Sequence, residues 1–421
     1  MSTFSLECFQ NEYLPEGGDQ VNAIITVTGS GGGPSEPAAG GEVAELIILD
    51  VSASMTGRKL RQAADAARAA IDAVRDGVRF AVVVGNHQAW VLYPPDASLV
   101  TASADTRRAA KDGLRNLQAS GGTAIGSWIT LATTLLGSEP GMRHAILLTD
   151  GKDESEEEAD LLRALTGATG AFQCDCRGVG TNWQVAELRR VADALLGSVD
   201  IVADPAELAA DFASIMRTAM ARRVAAVDVR VWSPQGADIE FVKQVAPDVS
   251  DLTDSRVPVN ALVGDYPTGA WGDESRDYHV CVRVVPGGVG DEMLAARVTL
   301  MVDGEASGQG LIKAVWTDDT ALSTRMSRHV AHYTGQAELA DAIQEGLEAR
   351  KAGDIDTATA RLGRAVQLAE EAGNTDTARL LGKVVDVDDV GTGRVRLKAK
   401  VDEADEMTLD TRSTKTVRVH K

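Results

Sequence analysis

Basic side chains, cysteines and long apolar runs are all scarce in this chain, and each scarcity removes a class of function. Forty-two Lys and Arg face 62 Asp and Glu among 421 residues, a formal net charge of −20. That balance disfavours nucleic acid or an anionic membrane as a partner, since both require a cationic surface. No apolar run reaches about 18 residues and no basic-then-apolar leader is visible, so neither a membrane span nor a secretory signal is expected, and the expected compartment is the cytoplasm. The four cysteines, Cys8, Cys174, Cys176 and Cys281, lie in distant segments. Cys174 and Cys176 form a C-x-C without the second Cys/His cluster that a zinc site needs, and buried or half-buried free thiols are expected. There is no G-x-S-x-G elbow and no phosphate-binding G-x-x-x-x-G-K-[ST], so no enzymatic activity is expected.

What stands out is the run Leu46-Ile47-Ile48-Leu49-Asp50-Val51-Ser52-Ala53-Ser54, in which a short apolar strand delivers an acid and two hydroxyls in D-x-S-x-S spacing. Hard divalent cations prefer oxygen ligands, and Mg²⁺ takes few protein oxygens while keeping waters. An apolar strand buried on both faces fits a parallel sheet covered by helices, where ligands sit past the carboxyl ends of the strands. The same residues also fit helix N-cap chemistry for a helix from Arg58 onward. Asp50 lacks the second acid two residues on that a haloacid-dehalogenase-type phosphotransferase would want.

Two later segments add oxygens. In Ser120-Gly121-Gly122-Thr123 a glycine pair brings backbone close and Thr123 opens a helical stretch to about Leu136. Ala145 to Thr149 is a second apolar strand, ending in Asp150-Gly151. Together, Asp50-Val51-Ser52-Ala53-Ser54, Thr123 and Thr149-Asp150-Gly151 resemble the metal-ion-dependent adhesion site of von Willebrand factor A domains, over roughly Val43 to Met220. The resemblance implies a divalent cation, Mg²⁺ first with Mn²⁺ or Ca²⁺ as alternatives, contacted directly by Ser52, Ser54 and Thr123, with Asp50 and Asp150 contacting it directly or through water. It further implies a protein partner whose Glu or Asp completes the coordination, and a docking device in place of catalysis. Bacterial proteins of this kind often serve AAA+ ATPases, chelatase-like machines or phosphosignalling modules, which makes a metal-dependent adaptor or scaffold the first expectation, an accessory subunit of an AAA+ or chelatase-like machine the second, and a metallohydrolase whose metal activates water the third.

Periodicity agrees with a doubly wound, Rossmann-like α/β domain over 42–222. Helical patterns at Arg58 to Val74, Asp105 to Leu117, Ala124 to Leu136, Glu156 to Thr166, Trp183 to Leu195 and Pro205 to Met220 alternate with apolar runs at Phe80 to Val84, Ala145 to Thr149, Phe172 to Val179 and Val199 to Val202. Trp90, Tyr93 and Trp128 read as packing residues. Around this domain the pattern changes. Residues 1–41 hold a strand-like stretch, Val21 to Thr28, then a Gly/Pro/Ser-rich linker. Short alternating runs over 223–330 (Val227 to Trp232, Ile239 to Gln244, Val257 to Leu262, Tyr278 to Val285, Ala296 to Val302, Gly310 to Trp316) predict an antiparallel β-sandwich. The N-terminal strand is expected to pair with it, making the α/β domain an insertion between the first and second strands. Residues 331–386 predict a helical hairpin plus one helix, a cap on the sandwich in place of a tetratricopeptide array, which needs about three repeats. His329 and His332 sit at helical i, i+3 spacing without further ligands.

The final stretch, 387–421, is expected as a polar tail or β-hairpin. Its threonines, Thr408, Thr411, Thr414 and Thr416, are candidate phosphorylation sites for a forkhead-associated reader, with strand propensity as the equal alternative.

Overall fold

The computed structural model describes residues 3–30, 43–202 and 206–419. The expected linker from residue 31 to 41, and Pro205 at the expected start of a helix, lie outside the described residues. The chain divides into two compact units, Pro34–Ala225 and a second formed by Met1–Gly33 with Ala226–Lys421.

The second unit begins with β1 (Thr3–Gln10), β2 (Tyr13–Pro15) and β3 (Gln20–Ser30). The inserted unit then runs β4 (Val43–Asp50), α1 (Arg58–Ala73), β5 (Arg79–Gly85), β6 (Ala89–Tyr93), β7 (Val100–Thr101), α2 (Ala104–Gly113), α3 (Ile125–Leu136), β8 (Met142–Thr149), α4 (Glu158–Ala168), β9 (Gln173–Val179), α5 (Val185–Ala194), β10 (Val199–Val202) and α6 (Leu208–Ala221). Its sheet has the order β10-β9-β8-β4-β5-β6, with β7 also on β5. β10, β9, β8, β4 and β5 are parallel, and β6 and β7 are antiparallel edge pieces. Every residue of β4 is buried, as a strand sandwiched between helix layers requires. The Ala-rich face of α1 (Ala63, Ala66, Ala67, Ala70) is fully covered and packs on α6; small side chains permit the close approach. Trp128 is buried, whereas Trp90, expected to pack, is 42 % exposed on the edge strand β6.

From β4 the chain winds to β5 on one side and later returns through β8, β9 and β10 on the other. The strand order therefore reverses between β4 and β8. Crevices at such a switch point, past the carboxyl ends of the strands, are where open α/β sheets place ligands.

The second unit continues with β11 (Val227–Trp232), β12 (Ala237–Ala246), β13 (Ser250–Asp251), β14 (Val257–Asn260), β15 (Val263–Pro267), β16 (Ser275–Val284), β17 (Glu292–Val302) and β18 (Glu305–Thr317). One sheet is β1-β3-β16-β12-β13 and the other β14-β15-β11-β17-β18-β2. All pairings are antiparallel except β2 with β18. Three strands precede the inserted unit where the sequence suggested one, and the expected run Val257 to Leu262 turns after β14 into a separate β15.

Next come α7 (Thr320–Ser323), α8 (Arg328–Ala352), α9 (Ile355–Glu371), α10 (Thr375–Val384), β19 (Val385–Asp389), β20 (Arg394–Leu397) and α11 (Glu403–Arg412). α8 seats on the sandwich through Val330 and Tyr333, which cluster with Ile24, Val245 and Ala246, and the Tyr333 hydroxyl donates to Asp277 of β16. His329 stacks on Phe9 and His332 Nε2 lies 2.8 Å from the Val417 carbonyl, so both histidines fasten the helix to its own unit. The C-terminal stretch is no tail. The hairpin β19–β20 supplies Val385 and Val395, and α11 supplies Leu409, to one core with Leu339, Ile343, Leu362 and Leu381 of the preceding helices. The buried residues of α11 are Met407, Leu409 and Thr411, whose i, i+2, i+4 spacing is the alternation of a strand and makes no helical stripe amid acids and threonines.

Among the described residues no helix is long and apolar enough to cross a membrane. Cys174, Cys176 and Cys281 are buried and Cys8 half-buried, all as free thiols.

At the amino ends of its strands the inserted unit buries a charged network. His144 of β8 places Nδ1 2.8 Å from Glu45 Oε1 of β4 and Nε2 2.9 Å from Asp175 Oδ2 of β9. Burial alone would lower the imidazole, but the Glu45 and Asp175 carboxylates outweigh it and raise it from 6.5 to about 9. Asp175 is held below the usual carboxylate range against its burial by His144, helped by Arg222 and Arg177. A histidine whose folded pKa is raised stabilises fully below 6.5 and loses that contribution as pH climbs through about 9. Denaturation of the full chain should therefore show the inserted unit weakening between pH 6.5 and 9, and His144→Gln should flatten that slope while costing about 3–5 kcal/mol, since both carboxylates lose their cation.

Candidate functional site

β4 ends at Asp50 and the chain turns sharply. The Val51 N–H donates to the Gly85 carbonyl (2.8 Å) at the end of β5, and the Ser52 N–H donates to Asp50 Oδ1 (2.6 Å). A short 3-10 turn over Ala53–Met55 follows, pinned by the buried Met55. Helix α1 starts only after Gly57, whose φ of 74° belongs to the left-handed region and which makes no side-chain cap. The serines are therefore not capping the helix, which removes the N-cap reading. Ser52 and Ser54 hydroxyls lie 2.9 Å apart, and Ser54 Oγ donates to Asp150 Oδ1 (2.6 Å).

The second loop is laced onto the first by backbone bonds. Ala53 N–H donates to the Gly121 carbonyl (2.9 Å) and Ser120 N–H to the Val51 carbonyl (2.8 Å). Asn86, at the end of β5, braces both: its side-chain amide donates to Ser120 O (2.8 Å), and its carbonyl accepts from Ala124 N–H and Trp128 Nε1. Gly121 has a φ of 77°, and a Cβ there would strike the His87 ring. Thr123 is 4 % exposed, and α3 begins two residues later on an Ala124 cap without a side-chain bond, so this hydroxyl too is free of capping duty. Instead Asp153 and Glu156 carry the helix start, accepting from Ile125 N–H and Gly126 N–H. Burial and the neighbouring Glu156 push Asp153 up to about 8.

The third loop follows β8. Thr149 donates its hydroxyl to Asp50 Oδ2 (2.5 Å) and accepts from Gly151 N–H (3.1 Å). Asp150 pairs through Oδ2 with the Lys59 ammonium from the first turn of α1. A Cβ on Gly151 would lie 2.8 Å from Thr123 Oγ1, 3.3 Å from Ser54 Oγ and 3.6 Å from Asp50 Oδ2. One point in space beside the third loop is thus ringed by oxygens of the first two loops. Burial raises the Asp50 carboxyl, bonds from Thr149 and Ser52 oppose that, and the nearby Asp150 charge adds to it.

All five residues singled out in the sequence, Asp50, Ser52, Ser54, Thr123 and Asp150, meet at this edge. Their donor set, two carboxylates and three hydroxyls, suits a hard cation. Among the described residues no group of three or more His, Cys, Asp or Glu side chains is placed to hold a metal, so any cation held here depends on hydroxyls. Asn86 and Lys59 were not anticipated, nor was the bond from Thr149, read only as the strand end before Asp150, to Asp50; such residues carry no further signal until their partners are placed.

The candidate threonines fare differently. Thr411 is 1 % exposed with its hydroxyl on the Met407 carbonyl, and Thr408 bonds the Ala404 carbonyl within the same helix. Thr416 Oγ1 donates to the Val245 and Pro247 carbonyls, and Thr414 is half-buried. Modification of Thr411 would require opening α11, because the expected tail is a folded helix.

Residues 44–201 match the family model for the von Willebrand factor type A domain, and residues 367–413 match that for the von Willebrand factor type A C-terminal domain. The chain belongs to the von Willebrand factor type A family. It is similar to a solved von Willebrand factor type A protein from Catenulispora acidiphila, at 51 % identity over 99 % of this chain and 97 % of that one, TM-score 0.94. The ArnB paralog VWA2 from Sulfolobus acidocaldarius shares the fold at 15 % identity, covering 98 % of both chains with a TM-score of 0.59. An uncharacterized protein of Synechocystis sp. is 28 % identical over 215 residues, 49 % of each chain; the chain spans about half the length of that curated relative. Domains of this family commonly mediate protein interactions.

Thr149→Val should leave Asp50 Oδ2 without its donor in a buried setting and cost about 1–3 kcal/mol, read as a lowered urea midpoint with unchanged slope.

Proposed function

We propose that the inserted domain binds a divalent cation, Mg²⁺ ahead of Mn²⁺ or Ca²⁺, and uses it to bind an acidic side chain of a protein partner. Ser52, Ser54 and Thr123 would contact the cation through their hydroxyls, with Asp50 and Asp150 acting directly or through water. The observation that carries this reading is the ring of Thr123, Ser54 and Asp50 oxygens around the Gly151 Cβ position. Their placement at the switch point of a doubly wound sheet supports it, as does the Lys59 ammonium on Asp150, which marks the position as one that accepts positive charge. When bound, the cation supplies a Lewis-acidic position that a carboxylate can fill. The chain's own residues orient the hydroxyls and neutralise charge, the chemistry of an adaptor.

Affinity capture from native lysate with and without chelator tests the reading. Partner recovery should depend on Mg²⁺ and vanish for Asp50→Ala. It should vanish equally for Gly151→Ala, whose methyl enters the oxygen ring while its backbone stays outside the left-handed region. Chelator-insensitive capture by both variants would end the proposal. An ATPase in the chelator-sensitive fraction would assign the chain to an AAA+ or chelatase-like machine.

A further inference from the structure

We infer that Lys59 sets the charge of this site so that cation and carboxylate bind together, each weakly without the other. The inference rests on the cation-binding reading above and adds a specificity-determining residue to it.

Asp50 and Asp150 are both fully buried, and each of their four oxygens already meets a donor: Ser52 N–H and the Thr149 hydroxyl on Asp50, the Ser54 hydroxyl and the Lys59 ammonium on Asp150. Of these donors only Lys59 carries charge. Its side chain is 31 % exposed while its partner is 0 % exposed, so the ammonium stands at the mouth of the site with its charge directed inward. Position on α1 enforces this. Lys59 is the second residue of a helix that starts at Arg58, immediately beyond the Ser52–Ser54 turn, and the helix packs firmly through its alanines.

The consequence is electrostatic. Two carboxylates and one ammonium leave a single excess negative charge. A divalent cation overshoots this and leaves the loaded site with a single excess positive charge in a poorly solvated place, an arrangement that resists the cation until an anion arrives. One carboxylate restores neutrality. Lys59 already holds Asp150 Oδ2, so it competes for this carboxylate with a cation as well as repelling it. Without Lys59, the two acids alone would neutralise the cation, and the site would hold metal with no need of a partner. An adaptor built that way would signal nothing about its partner's presence.

Titrating the full-length chain with Mn²⁺, followed by calorimetry, in the absence and presence of acetate as carboxylate probe, tests this. The wild type should bind Mn²⁺ weakly alone and several-fold more tightly with acetate. Lys59→Met should bind Mn²⁺ alone about tenfold more tightly, a gain of about 1.4 kcal/mol, and lose most of the acetate enhancement. Lys59→Arg, which keeps the charge, should behave as wild type; a purely structural role for the lysine would not divide the two variants in this way. Equal Mn²⁺ affinity in wild type and a folded Lys59→Met, or an undiminished acetate effect, overturns the inference while leaving the cation site standing. Absence of Mn²⁺ binding by wild type, Lys59→Met and Asp50→Ala alike overturns the cation site and the inference with it.

Discussion

Asp50 and Asp150 are buried next to each other at the ends of two neighbouring strands, with no solvent to dilute their charge. Two like charges in such a place are tolerable only where donors surround them. The local structure supplies those donors from every direction: a backbone N–H from the turn, hydroxyls from Ser54 and Thr149, and an ammonium from the first turn of α1. The first and third loops are thereby tied to the same pair of acids, and the second is laced to the first through Ala53 N–H to the Gly121 carbonyl and Ser120 N–H to the Val51 carbonyl. Gly151 is where backbone comes close to Thr123, Ser54 and Asp50, while Gly121 and Gly122 let the second loop close against His87 and Ser155.

The opposite end of the same sheet meets the same problem and resolves it within the protein. There Glu45 and Asp175 flank a histidine that carries the balancing charge, and Arg222 and Arg177 lie nearby. Five residues along β4, roughly 16 Å of strand, separate Glu45 from Asp50. One end is electrically closed; the other, with a single lysine against two acids, is left one charge short. The contrast separates a structural ion network from a site suited to an incoming charge, even though both are rich in buried acids.

The sequence made the D-x-S-x-S loop, Thr123 and Asp150 legible because each follows an apolar run too uniformly buried to be anything but an inner strand, or a glycine pair that can only be a close approach. Helices of the alternating region were legible by period. Three things were not. The Glu45–His144–Asp175 network depends on register between strands 99 and 31 residues apart, which no local pattern records. Thr149 and Lys59 look like ordinary strand and helix residues until Asp50 and Asp150 are set beside them. And α11 shows no helical stripe, because its buried residues Met407, Leu409 and Thr411 alternate as in a strand, so the acid- and threonine-rich segment read as a tail or β-hairpin. In each case the missing information is a partner distant in sequence.

Placing the α/β unit between β3 and β11 has a consequence for how the chain comes into being. β3 forms its sheet with β16, about 245 residues further on, and β2 waits longer still for β18. At ribosomal speeds of about 5–20 residues per second, the N-terminal strands leave the ribosome roughly 12–50 s before their partners exist. During that interval the inserted unit, complete in itself, folds between them, and β1 and β3 can pair only with each other as a lone hairpin with an open edge. Nascent chains therefore carry an unpaired β-edge from the end of β3 at Ser30 until β16 begins at Ser275, and from Ala225 onward that edge is fastened to a finished domain.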